Sequence, residues 1–194
     1  MKKLSREDLF SLEQYATERK DYRAKVIEHK KNRQVALGEN ATLYFEDSLT
    51  LQYQIQEMLR IEKIFEADGI NEELDAYNPL IPDGSNLKAT FMIEYSDVDE
   101  RQKVLSTLGG IEDTVWIQMD GYDKVFAIAD EDMERNRDEK TSAVHFMRFE
   151  FSDEMIAAAK AGKLISMGID FDSFKQSVSP IAENVQQSLV QDFD

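Results

Sequence analysis

The sequence predicts an α+β protein, and three observations support this class. Residues 1–33 and 48–67 carry apolar side chains at helical spacing. Residues 87–170 instead contain several short segments that alternate apolar and polar side chains, as strands do. Short turns link these segments. We therefore expect an antiparallel or mixed β-sheet, with an N-terminal helical segment and a long central helix packed on it.

The N-terminal segment reads as helical from its capping residues and its apolar spacing. Ser5, followed three residues later by Asp8, is typical of a helix N-cap. Further on, Tyr22 and Val26 share one stripe. The polar letters TERKD lie between these features, so Asp21 could cap a second helix. The segment is thus one helix or two.

A hairpin and the central helix follow along the chain. Residues 34–46 contain turn residues between two short alternating runs, which predicts a hairpin. Asp47 or Ser48 can cap the central helix, which we place at residues 48–67 because Gly69 follows its last apolar position.

The domain boundary is predicted near residue 170. A chain of 194 residues is most simply one domain, and residues 1–170 hold the periodic segments that can build its core. Residues 171–194 are more polar. We expect them to form a C-terminal tail with helical character after Pro180.

Charge and composition exclude several classes of protein. The net charge of -16 argues against nucleic acid and anionic lipid as partners, because both require positive surface. The chain has no cysteine, which excludes disulfides, thiol nucleophiles and cysteine-ligated iron–sulfur clusters within it. It has neither a signal-peptide pattern nor an apolar run of about 18 residues, so we expect a cytoplasmic protein without a membrane span.

Common catalytic motifs are missing from the chain. It contains no dinucleotide-binding GxGxxG, no phosphate-binding GxxxxGK[ST], no GxSxG and no HExxH. Whether the protein is an enzyme is therefore left open by its motifs.

His145 is the best single candidate for a chemical site. It lies in EKTSAVHFMRFEF, which alternates as a strand does, so His145 shares a face with Met147 and Phe149 while Arg148 and Glu150 point the other way. An apolar face favours a hydrogen-bonded core histidine over a ligand or a base.

A metal site is the alternative interpretation of this histidine. Glu62 lies in the apolar stripe of the central helix, and Glu57 lies on the flank of that stripe. A carboxylate in such a position needs a partner, which can be an arginine or a divalent metal. His145, Glu57 and Glu62, with His29 as an optional further ligand, would suit iron, manganese or zinc.

A basic segment forms the second candidate site. Between Arg19 and Arg33 the chain has seven Lys or Arg residues against two acidic ones. Lys30, Lys31 and Arg33 could bind an anion or a partner protein. Alternatively, the segment could pair with the acidic body of the same chain.

Five motifs carry a resemblance to a known family: FEDSLTLQYQIQEMLRIEKIF, EELDAYNPLIPDGSNLKATFMIEY, VWIQMDG, VFAIADED and EKTSAVHFMRFEF. On these, the sequence resembles an uncharacterised bacterial family known as domain of unknown function 3501. The resemblance implies an association with a redox or oxidative-stress system, through rubrerythrin-like or iron–sulfur protein partners. It implies no catalytic residues.

Two functional hypotheses follow. The first is a cytoplasmic accessory protein that docks onto a redox partner through its charged surface. The second is a metal-binding protein or metal-dependent enzyme that uses His145 with Glu57 or Glu62.

Overall fold

The computed structural model describes residues 2–131 and 141–194. It confirms the α+β class. The helices in these ranges are α1 (Leu12–Lys30), α2 (Ser48–Glu62), α3 (Ala67–Tyr77), α4 (Val98–Leu105), α5 (Asp153–Lys160) and α6 (Glu183–Leu189). No helix in these ranges is long and apolar enough to cross a lipid bilayer.

The strands form two antiparallel sheets. Their bounds are β1 (Gln34–Ala36), β2 (Ala41–Phe45), β3 (Asn86–Ile93), β4 (Val115–Met119), β5 (Val125–Phe126), β6 (Ile128–Ala129), β7 (Val144–Glu150), β8 (Ile165–Phe171) and β9 (Phe174–Val178). The first sheet has the order β1-β2-β3-β7-β6, and the second has the order β5-β4-β8-β9.

The N-terminal segment contains one long α-helix after a short 3-10 turn. The turn covers Arg6–Asp8, and the Ser5 hydroxyl donates to the Asp8 carboxylate at 2.7 Å. Helix α1 then begins after Ser11, whose side chain accepts a hydrogen bond from the backbone N–H of Gln14. No second helix begins at Asp21, because that residue lies inside α1.

The long central helix of the sequence prediction is not confirmed. Helix α2 ends at Glu62, because Lys63 adopts a left-handed conformation with φ of 57° and closes the helix. Residues beyond it start a separate helix, α3. Helix α2 lies between α1 and α3, and its buried Ile55 and Leu59 pack with Leu74 of α3 in a helical cluster of their own.

The main core lies between the two sheets. Alternate side chains of β2, β3 and β7 face those of β4 and β8 across it. The chain crosses from one sheet to the other at buried Ala127, because β5 pairs with β4 while β6 pairs with β7. This crossing brings the end of β6 beside the centre of β7.

Residues 171–194 belong to the folded body, contrary to the polar tail that the sequence predicts. Strand β9 pairs with β8, and α6 buries Val185 and Leu189 in the main core. Ile181 and Phe193 are buried there as well. These apolar residues are spaced among polar ones, so average polarity hid the buried face.

Candidate functional site

His145 lies at the centre of the structure, on the core-facing side of β7. The strand alternates between buried and half-buried residues, and His145 opposes Phe91 of β3. Its side chain is 0% exposed, while Arg148 on the opposite face reaches solvent. The face that strand alternation predicts for His145 is the one it occupies.

Asp130 holds one nitrogen of the His145 ring. It directly follows β6, and its Oδ2 lies 2.7 Å from Nδ1 of His145. The backbone of Asp130 is left-handed, with φ of 54°, and its N–H donates to the carbonyl of Phe146. A non-glycine residue rarely adopts this conformation, although aspartate tolerates it better than most. The turn at the end of β6 thus aims the carboxylate at the ring.

Glu112 and Thr141 lie at the other ring nitrogen. Glu112 belongs to the 3-10 helix Ile111–Thr114, is 3% exposed, and places Oε2 3.9 Å from Nε2 of His145. The Thr141 hydroxyl donates to that Oε2 at 3.2 Å and lies 2.9 Å from Nε2. The carbonyl of Ser142 lies 3.0 Å from Nε2. We call Glu112, Asp130 and His145 the histidine–carboxylate cluster.

In the cluster, the carboxylates of Glu112 and Asp130 lie on two sides of one buried imidazole ring. Both nitrogens of His145 face oxygen atoms, which can act as hydrogen-bond partners of the ring or as ligands of a metal ion. The charges of the cluster also act on the neighbouring Asp113 carboxyl. Burial and the charges of Glu112 and Asp130 raise the pKa of the Asp113 carboxyl, while His145 lowers it. A divalent metal ion is one cation that such a set of groups can bind.

The donor atoms of the cluster suit a metal ion. One ligand atom from each of Glu112, Asp130 and His145 can be chosen so that all lie within 4.8 Å of one another. Ligands bound at 2.0–2.3 Å from a common ion are separated by distances of this order. Imidazole nitrogen with carboxylate oxygens is a donor set that iron, manganese and zinc accept in proteins.

Glu57, a predicted metal ligand, contacts a different set of residues. Its Oε1 accepts hydrogen bonds from the Tyr15 hydroxyl and from Nε of Arg19, both at 2.7 Å, and its Oε2 accepts one from Arg19 at 2.8 Å. These bonds, led by those from Arg19, lower the pKa of Glu57 to about 2. Glu57 thus joins α2 to α1.

Glu62 and His29 also lie away from the cluster. Glu62 is exposed at the last position of α2. Nε2 of His29 lies 2.5 Å from the Asp47 carboxylate, at the start of that helix. In the described parts of the chain, the structure brings neither residue to His145.

The three predicted anion-binding residues do not share one surface. Arg33 is 2% exposed and forms ion pairs with Asp47 and Asp192. Lys31 is exposed and pairs with Glu28. Lys30 is half-buried and lines a cleft that is described below.

Sequence reasoning missed Glu112, Asp130 and Thr141 because they lie outside the α-helices and strands, in a short 3-10 helix and in connecting segments that have no apolar period. The signal present was local. Glu112 follows the pair Gly109–Gly110, and Asp130 ends an apolar run. Only the crossing between the sheets brings them together.

Comparison of this chain with known proteins identifies a family that has no described activity. The model of the family described as "Protein of unknown function (DUF3501)" matches residues 3–193. The chain is similar, at 52% identity over 100% of both chains and with a TM-score of 0.94, to the crystal structure of a novel protein of unknown function from Burkholderia pseudomallei K96243. No curated protein matches it. The chain belongs to the DUF3501 family.

Proposed function

We propose that this protein binds a divalent transition metal ion at the histidine–carboxylate cluster. The observation that carries the proposal is that the carboxylates of buried Glu112 and half-buried Asp130 converge on buried His145, with one ligand atom of each residue within 4.8 Å of the others. Ionisable groups that are brought together away from water need cations or hydrogen bonds as partners. A metal ion bound to these donor atoms is a partner of that kind.

Geometry favours the Nε2 side of His145 for the ion. The Asp130 carboxylate lies at hydrogen-bond distance from Nδ1, and a metal-binding histidine commonly donates its other ring N–H to such a carboxylate. Around Nε2 are Oε2 of Glu112, the Thr141 hydroxyl and the Ser142 carbonyl. Asp130 would then accept a hydrogen bond from Nδ1, on the side of the ring away from the metal. This is the carboxylate–histidine–metal arrangement that orients many metal-binding histidines.

The donor set selects a class of ion. One nitrogen with several oxygen donors and no sulfur fits Mn²⁺, Fe²⁺ or Zn²⁺ better than Cu⁺.

Elemental analysis and calorimetric titration test the proposal. The full chain is purified without an affinity tag, treated with a chelator, and titrated with Mn²⁺, Fe²⁺ under anaerobic conditions, and Zn²⁺. We expect one ion per chain. A protein that is folded, metal-free as isolated, and unable to bind any of the three ions would refute the proposal.

The metal affinities of single-residue variants test where the ion binds. Glu112→Gln should weaken binding by at least about tenfold, because it removes a charged oxygen ligand. Glu57→Gln and Glu62→Gln change the same residue type at positions away from His145 and should leave the affinity unchanged. Equal losses in all three variants would place the ion elsewhere or show nonspecific binding. Circular dichroism of each variant checks that it is folded.

An accessory role beside a redox partner is the second candidate function. Resemblance to the family suggests the partner class, and the net charge of -16 favours a basic docking surface on that partner. The expected compartment is the cytoplasm. Co-purification from soluble extract at low salt, lost at high salt, supports this role, whereas the absence of a rubrerythrin-like or iron–sulfur protein at both salt concentrations argues against it.

A further inference from the structure

A cleft lies on the outer face of the first sheet, opposite the histidine–carboxylate cluster. It separates this face from the loop after α3 and from the N-terminal part of α2. Two cavities, of about 460 and about 470 Å³, form it, and both are lined by Glu46, Tyr77, Leu80 and Phe146. We call their union the outer cleft. Each cavity has the size of a typical small-molecule site.

The wall of the outer cleft is mainly apolar. In the cavity nearer α2, the apolar and aromatic lining residues are Tyr44, Leu51, Tyr77, Leu80, Met92, Val144 and Phe146. These residues come from α2, from the end of α3 and the turn after it, and from β2, β3 and β7. An apolar trough of this size accommodates an extended hydrocarbon chain or an aromatic ring system.

Most charged groups at the outer cleft already have partners. Glu46 accepts hydrogen bonds from the hydroxyls of Thr90 and Thr50. Lys88 donates to two backbone carbonyls of the 79–81 loop, and burial lowers its pKa. Arg148 is paired with Glu131 and Glu150.

Lys30 differs from these residues. It is half-buried at the last position of α1 and lines the cavity nearer α2. Within residues 2–131 and 141–194, its ammonium group has no hydrogen-bond or ion-pair partner. A cation at the edge of an apolar trough complements an anionic head group on an apolar body.

We propose that the outer cleft binds an amphipathic organic anion, such as a medium-chain carboxylate, with its apolar body along Phe146 and Leu80 and its carboxylate at Lys30. This inference is independent of the metal proposal, because Val144 and Phe146 lie on the face of β7 opposite His145. Either proposal can fail without the other.

Calorimetry with three probes of equal chain length tests the inference. Dodecanoate and dodecyltrimethylammonium below their micellar concentrations, and 1-dodecanol below its solubility limit, are titrated into the full chain. We expect saturable 1:1 binding of dodecanoate, weaker binding of dodecanol, and the weakest binding of the cation. No saturable dodecanoate binding, or binding of the cation as tight as that of the carboxylate, would overturn the proposal.

Two lysine variants form a matched pair. Lys30→Met keeps the side-chain length and removes the charge, so it should weaken dodecanoate binding about fivefold, as expected for a partly exposed ion pair, and leave dodecanol binding within about twofold. Lys31→Met removes the charge of the next residue, which pairs with Glu28 outside the cleft. Equal effects of the two variants on dodecanoate would contradict the assigned head-group position.

A filling substitution tests the apolar wall. Met92→Trp adds bulk inside the cavity nearer α2 and should abolish binding of both dodecanoate and dodecanol. Leu164→Trp, at an exposed position that does not line the outer cleft, is the control. Dodecanoate binding that survives Met92→Trp in a folded protein would place the ligand elsewhere. Metal titrations of these variants should match the wild type.

Discussion

The Asp130 carboxylate lies 2.7 Å from Nδ1 of His145, on the side of the ring opposite Nε2. Asp130→Asn should therefore weaken metal binding by about 10–100-fold, because the amide fixes the ring orientation and its basicity less well than a carboxylate does. Calorimetric titration with Mn²⁺ measures the change.

Asp113→Asn is the control for this prediction. Asp113 is an exposed carboxylate beside the cluster, and its removal changes the same net charge without removing a contact to His145. We expect a loss of no more than about threefold, as for other screened surface charges. Equal losses in the two variants would show that Asp130 acts through long-range charge alone.

Glu57 and Glu62 should differ in their contributions to stability. Glu57→Gln weakens the hydrogen bonds to Arg19 and Tyr15 and should lower the free energy of unfolding by about 1–3 kcal/mol. Glu62→Gln changes an exposed residue and should stay within about 0.5 kcal/mol of the wild type. Urea unfolding of both variants checks this, and equal stabilities would contradict a structural role for Glu57.

The same glutamate predicts part of the acid sensitivity. The pKa of Glu57 falls to about 2 in the folded protein, so the folded state binds fewer protons than the unfolded state between that value and the ordinary glutamate pKa. Its stabilisation is complete above the ordinary pKa and is lost as the pH falls through about 2. Unfolding free energies measured across this window should fall less steeply in Glu57→Gln. An unchanged slope would argue against the assignment.

Arg33 should be one of the most sensitive positions in the chain. Arg33→Met leaves Asp47 and Asp192 without their buried cation and should cost about 3–5 kcal/mol. Lys31→Met, at an exposed position, should cost almost nothing. Thermal unfolding compares the two variants.

The pH dependence of the Arg33→Met loss gives a further check. Burial raises the pKa of Asp192 to about 6, although Arg33 opposes this shift. A raised folded-state pKa means that stability is lost as the pH rises through that value. Without Arg33 the buried carboxylate is harder to ionise, so the loss should be larger at pH 7 than at pH 5. A loss independent of pH would contradict this.

The elements with strong periodicity were predictable from the sequence. Alternation placed His145 on the core-facing side of β7, and the short links between strands indicated antiparallel pairing. The end of α2 was not predictable, because apolar spacing continues past Glu62 and only the left-handed Lys63 breaks the helix. The buried face of α6 was hidden by the polar residues around it.

The partners of His145 were harder to predict. Glu112 and Asp130 meet His145 only because of the way the chain passes from one sheet to the other. The apolar periods of strands and helices carry no information about that path. The sequence suggested carboxylates on the central helix because they interrupt an apolar stripe. Arg19 and Tyr15 explain Glu57 instead, and the end of the helix explains the exposure of Glu62.

Pulsed electron paramagnetic resonance of the Mn²⁺-loaded, untagged protein tests the central claim most directly. The chain has two histidines, so a directly bound imidazole nitrogen can come only from these. We predict a ¹⁴N coupling to Mn²⁺ that persists in His29→Gln and disappears in His145→Gln. Bound Mn²⁺ without such a coupling, or a coupling that survives in His145→Gln, would contradict a metal site at His145.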